Sequence, residues 1–156
     1  MNESGRAKLD AALVECALHA NVLSEAAATL PLAFTVEDAG SLSNLLQRLL
    51  DQAAYRFMKL QDSLGEKVLP GLLLATLDPL PPEATFAEKL QRLERLGAVS
   101  SAERWRHLRE VRNSLAHEYP DHPALRAAAL TRMVQGVREL LLFWATVQAF
   151  SQRRLG

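Results

Sequence analysis

Apolar residues recur along most of the chain at steps of three and four, and this spacing limits the possible folds more than any other feature. Leu9, Leu13, Cys16, Ala20, Leu23 and Ala27 fall on one stripe, as side chains three and four apart do on one face of a helix. Leu42, Leu46, Leu49, Ala53, Phe57, Leu60 and Leu64 make a second stripe, and Met133, Val137, Leu140, Trp144 and Val147 a third. No segment shows the two-residue alternation of a half-buried strand. Each stripe must be covered by another helix, so the expected fold is all-α: an antiparallel helical bundle of three long helices and several shorter ones.

Glycines and prolines mark the joints. The first helix is expected from about Ser4 to Thr29, ended by Pro31. Thr35 or Asp38 can cap a second helix that continues to about Leu64, where Gly65 breaks it. A third segment, Glu66 to Leu77, contains Pro70-Gly71 and is kinked or begins at the proline. Asp78-Pro79-Leu80-Pro81-Pro82 reads as a rigid extended connector. Thr85-Phe86-Ala87-Glu88 has capping-box spacing and starts a fourth helix ending at Gly97. Ser100-Ser101-Ala102-Glu103 repeats that spacing for a fifth, from Ser101 to about His117. Tyr119 to Pro123 is a turn, and a last helix runs from about Ala124 to Gln152. With no internal repeat and no domain linker, residues 1–156 are expected to form a single domain.

Charge and cysteine usage narrow the classes of function. Lys+Arg and Asp+Glu balance at 18 each, so no global field draws in nucleic acid and any such contact must use a local patch. The single Cys16 excludes an intramolecular disulfide framework and a Cys-rich zinc site; on its apolar stripe it reads as a buried, inert thiol. Four scattered histidines do not suggest a metal site, and no cofactor is expected. The longest apolar run, Leu140 to Phe150, is interrupted by Thr146 and Gln148 and falls short of the ~20 residues that cross a bilayer. The N-terminus lacks a secretory pattern. A cytoplasmic protein without a membrane partner is expected.

The densest chemistry lies in Arg112-Asn113-Ser114-Leu115-Ala116-His117-Glu118-Tyr119-Pro120. Arginine can hold and neutralise phosphate, and histidine can move protons near neutral pH. On the fifth helix Trp105, Leu108, Arg112, Leu115 and Tyr119 share a stripe, so Arg112 stands where a core residue is expected and needs a partner or a water-filled cleft. Asn113 and His117 are four apart, which lets the amide orient the imidazole. Arg112 and His117 are about 140° apart on an ideal helix. Their convergence requires the long arginine side chain or a loosening of the helix before Pro120; Tyr119, before a proline, is biased toward extended geometry. Arginine plus histidine suits phosphodiester cleavage assisted by a neighbouring 2′-hydroxyl. That reaction wants both an acid and a base, and one such histidine per chain favours a homodimer with a shared cleft.

These residues resemble the R-x4-H-x-Y motif of HepT-like proteins of the HEPN superfamily, all-helical domains in which the motif lies late in the bundle, before one long final helix. The resemblance implies a metal-independent ribonuclease toxin acting as a homodimer, with Arg112 and His117 catalytic and Asn113 supporting. It implies a partner as well, a small MntA-like nucleotidyltransferase antitoxin that transfers AMP to the motif tyrosine, here Tyr119. A related branch implies a different role, a non-catalytic, substrate-binding partner of a nucleotidyltransferase. The proline-rich connector and extra short helices make this chain longer than compact members, which bears on the shape of the cleft.

Plainer readings compete. Arg112 can pair with an acid such as Glu110 or Glu118 while His117 supports the helix C-terminus, leaving a helical scaffold without an active site. Tyr119 can simply pack at a helix end. His19 is expected at the surface or bundle edge, His107 in solvent and His122 in the turn. Trp105 and Trp144 read as packing residues. Lys89, Arg92 and Arg95 read as a solvated face; Arg104, Arg106 and Arg109 are divided between RNA backbone contact and plain solvation.

Overall fold

The computed structural model describes residues 1–76 and 79–156, and its regular elements are all helical. They are α1 (Glu3–Thr29), α2 (Val36–Gly40), α3 (Asn44–Ser63), a π-helical turn (Leu64–Val68), α4 (Leu69–Leu74), α5 (Phe86–Leu96), α6 (Ala102–Ser114) and α7 (Pro123–Leu155). No strand occurs among the described residues. The all-α bundle expected from the periodicity is the observed fold.

The joints follow local chemistry, with three departures from the sequence reading. The helix expected to run unbroken from Thr35 to Leu64 is two helices. Thr35 and Asp38 do form a reciprocal capping box, but it opens only the short α2. Gly40 disfavours continuation, the Ser41 hydroxyl bonds back to the Glu37 carbonyl, and the Ser43 side chain accepts the Leu46 N–H to start α3 afresh. The second departure is at Gly65, which does not end a helix. It lies in the π turn that carries the chain directly into α4, whose second residue is Pro70. A Cβ at residue 65 would stand 2.9 Å from the Trp105 ring, so glycine here admits the indole rather than a break.

The third departure is the end of α6, at Ser114 instead of His117. The Ser114 hydroxyl takes the Val111 carbonyl at 2.7 Å, and tighter bonds follow, Leu115 N–H to Arg112 O and His117 N–H to Ser114 O. The same helix starts one residue later than expected: the cap is Ser101 and not Ser100, its third residue is Arg104, so no capping box closes, and the Glu94 carboxylate takes the Ala102 N–H. The Thr85–Glu88 box does close, and Gly97 ends α5 in the left-handed conformation. Leu77 and Asp78, the end of the expected third segment and the start of the connector, lie outside the described residues. Pro79 to Pro81 are non-helical.

One apolar cluster runs through the bundle. α1 packs chiefly on α3, and α7 lies against α1, α2, α3 and α6. Phe57, Leu60, Leu140 and Phe143 are wholly buried. The stripe expected on α7 is buried throughout; that on α3 is shifted, with Leu50 in the core and Leu42, Leu46 and Leu49 only partly covered. Trp105 packs between Phe86 and Phe143, with ring centroids at 6.3 and 5.3 Å, and Trp144 is buried: both tryptophans are packing residues. α6 and α7 approach closely at Gly136, where a Cβ would meet Val111 at 3.0 Å. This approach places the end of α6 between α3 and the start of α7, which is where the motif lies.

Candidate functional site

Arg112 leaves the last turn of α6 toward α3 and is held there. Its Nε and Nη2 donate to the two carboxylate oxygens of Asp62, each at 3.0 Å, a bidentate fork. Arg109, one turn earlier, approaches the same carboxylate at 3.6 Å. The Asp62 hydrogen bonds raise the Arg112 pKa above its ordinary value, against a smaller opposing effect of burial. Arg112 is not in the core stripe; Val111 fills that place with 1 % exposure, and about a third of the Arg112 side chain remains open to solvent. Its acid is Asp62, not Glu110 or Glu118. Asp62 escapes a helix-by-helix reading because the two residues are fifty positions apart. The one available signal was the run Gln61-Asp62-Ser63, polar positions at the end of an apolar stripe.

His117 lies beyond the helix in the turn and is exposed. It lines a cavity of about 230 Å³ between α3, the segment after α6 and the start of α7. Asp51, Gln47, Ser114, Glu118 and Arg126 share the wall with apolar Leu50, Leu115 and Met133. Arg112 does not line this cavity. Asp62 and Arg109 instead border a second one, of about 210 Å³, with Gln61, Glu66, Phe86 and Trp105. Within one chain the structure therefore brings Arg112 to Asp62 and His117 to the α3/α7 cavity.

Asn113 is exposed, and no hydrogen bond joins it to His117 among the described residues; the helix that would align them has ended. Tyr119 does stand beside His117, with ring centroids 5.9 Å apart. Its φ is +50°, not the extended value expected before Pro120. A bulky residue in the left-handed region stores strain of order 1–3 kcal/mol. The Tyr119 carbonyl accepts the His122 N–H at 3.2 Å, closing a turn over Pro120 and Asp121. Arg106 pairs with Glu103 at 3.1 Å, and Arg104 is exposed, with no carboxylate paired to it among the described residues.

The other histidines sort differently from expectation in one case. His107 is exposed, 3.5 Å from Glu139, and His122 is exposed in the turn. His19 is buried, not at the surface. Its Nδ1 faces Arg56 Nη1 at 3.0 Å and its Nε2 faces Glu15 at 3.5 Å. The guanidinium can only donate, so Nδ1 accepts and Nε2 carries the proton. Lys67 on the π turn completes the chain at Glu15, whose pKa it lowers through a hydrogen bond. This buried pairing was invisible to a spacing argument because Arg56 and Lys67 come from other elements. Among the described residues no three His, Cys, Asp or Glu side chains are grouped to hold a metal ion, and no helix is long and apolar enough to cross a membrane.

Cys16 is wholly buried, and burial pushes its thiol up to about 11. The thiolate is the reactive form. The native protein is therefore expected to resist iodoacetamide in mildly alkaline buffer and to take up one carbamidomethyl group only in denaturant; rapid labelling of the folded protein, read by intact mass, would contradict the buried placement. Comparison with known proteins returned no match to this chain, whether as a family model, a curated protein or a solved structure.

Proposed function

We propose that the chain is a metal-independent endoribonuclease of the HepT-like, HEPN type, working as a homodimer in the cytoplasm as the toxin of a pair whose antitoxin is an MntA-like nucleotidyltransferase. The observation that carries this reading is the setting of the motif's arginine and histidine. Asp62 occupies Nε–H and one proton of Arg112 Nη2; Nη1 and the other Nη2 proton remain available for a phosphoryl oxygen. His117 is an exposed imidazole five residues on, past the end of the same helix.

In the proposed reaction the substrate's 2′-hydroxyl attacks the adjacent phosphorus. One imidazole takes the 2′-hydroxyl proton, the P–O5′ bond breaks, and a second imidazole protonates the departing 5′-oxygen, leaving a 2′,3′-cyclic phosphate. Arg112 stabilises charge on the non-bridging oxygens. Each chain supplies one His117, so a two-fold partner supplies the other. Tyr119, whose ring stands beside His117, is the proposed AMP acceptor. AMP there would add a bulky anion next to the imidazole and block the approach of RNA.

The bidentate lock on Asp62 favours a second reading, in which Arg112 is structural and the chain is a non-catalytic partner of a nucleotidyltransferase. RNA cleavage separates the two. Purified protein is expected to cut single-stranded RNA in the presence of EDTA and to leave cyclic-phosphate ends. RNA that stays intact, while the protein co-purifies with a co-expressed small nucleotidyltransferase, would select the second reading.

A further inference from the structure

We infer that the cavity between α3 and α7 is the base-binding subsite of this enzyme and that the base it takes is guanine; this rests on the ribonuclease reading above. Three properties of the cavity point to a base. At about 230 Å³ it has room for one heterocycle. Its apolar residues, Leu50, Leu115 and Met133, lie in the same wall as its polar ones, which is the make-up of a pocket that covers the faces of a planar ring and bonds its edge. It also includes His117, so a nucleotide whose base sits there carries its ribose and phosphate toward the imidazole.

The polar groups select among bases. Arg126 Nη2 donates to Gln47 Oε1 at 3.1 Å, and Gln47 Nε2 donates to Asp51 Oδ1 at 2.9 Å. This chain of bonds spans from α7 to α3 and engages one oxygen of the exposed Asp51 carboxylate. Asp51 Oδ2 and the second lone pair of Oδ1 remain as two adjacent acceptors. Guanine is the base that offers two adjacent donors, N1–H and the 2-amino group, beside an acceptor, O6. Adenine places a donor next to an acceptor, and neither cytosine nor uracil has neighbouring donors on this edge. The unused N–H groups of Arg126 supply the donor that O6 needs. Glu118 lies in the same wall; with Asp51 it disfavours a phosphate in the cavity and leaves the uncharged base as the occupant.

Calorimetric titration of the full chain with guanosine, adenosine, cytidine and uridine 3′-monophosphates tests this without requiring cleavage. The guanosine nucleotide is expected to bind at least about 10-fold more tightly than the others, and Asp51→Asn to weaken it about 10- to 100-fold, because an amide donor then meets a donor on the base. Gln47→Ala, which frees Asp51 without changing its charge, is expected to reduce the preference by a smaller factor. Circular dichroism of both variants checks that the bundle is intact. Equal affinity for the four nucleotides, or unchanged guanosine binding in Asp51→Asn, overturns the inference. Preferential guanosine binding by a protein that does not cut RNA would retain the subsite and reject the ribonuclease; cutting without base preference would do the reverse.

Discussion

Replacing His117 by alanine is expected to reduce RNA cleavage by about 10²- to 10⁴-fold, the range for removing a positioned general acid or base, while leaving the thermal midpoint nearly unchanged. His117 is exposed and lies outside any helix, so its removal opens no core cavity and breaks no ladder bond. Arg112→Ala should lower cleavage as well, but with a different companion effect. It strands Asp62, which is two-thirds covered, leaving only the looser Arg109 contact at 3.6 Å, and a stability loss of about 1–3 kcal/mol is expected from the orphaned carboxylate. Arg112→Lys cannot reproduce the fork and should fall between. The pair of readouts discriminates the two functional readings. If Arg112 is only a structural strut, Arg112→Ala lowers stability, His117→Ala changes nothing, and no variant alters cleavage. If both residues do chemistry, His117→Ala separates activity from stability cleanly, as measured by a fluorogenic RNA assay beside thermal melting.

The largest loss of stability is expected at Phe57. Its ring is wholly buried, one turn ahead of Gln61 and Asp62, and lies 3.6 Å from the space above Gly136 on α7. Phe57→Ala should cost about 3–5 kcal/mol, combining lost apolar burial with the cavity left behind. For a chain of this length that corresponds to a fall of roughly 10 °C in Tm. Gly136 gives the control. An added methyl at 136 meets Val111 at 3.0 Å and is expected to be less unfavourable in the Phe57→Ala background, where one neighbour has receded, than in the wild type. Additive changes in the double-mutant cycle would show that the two positions do not share a packing site.

The helical class was legible because it rests on local periodicity, and the long stripes of α1 and α7 were buried much as their spacing requires. Caps were legible where the chemistry is local, as at Thr35, Thr85 and Gly97. The misread joints, Gly40 to Ser43 and Gly65, depend on neighbours: a serine that caps after a glycine, and a tryptophan forty residues away that needs the space. The same division holds at the site. Arg112, His117 and Tyr119 were picked out as candidates by residue type and spacing; the helix does end before Pro120, but Arg112 turns to Asp62 and His117 to the α3/α7 cavity, so the two do not converge within one chain. Asp62, Asp51, Gln47 and Arg126 were not picked out, because nothing in the local sequence says that α3 and α7 will present them to the motif. His19 shows the converse, a residue read as surface because its partners were out of sight.

The π turn at Leu64–Val68 has a consequence for how this chain can vary. A wide turn of this kind is one residue more than an α-helix would use for the same advance. Deleting Glu66, an outward-facing residue whose loss looks harmless, would let an ordinary helix run from Asn44 to Leu74. Leu60, Leu64, Val68, Leu69, Leu72 and Leu73, all now buried, would then follow one another at steps of four, three, one, three and one, which is one face of a regular helix, so they would keep facing inward. A single-codon loss is therefore absorbed at this turn, whereas the same loss inside α3 would turn the remainder of the helix by about 100°.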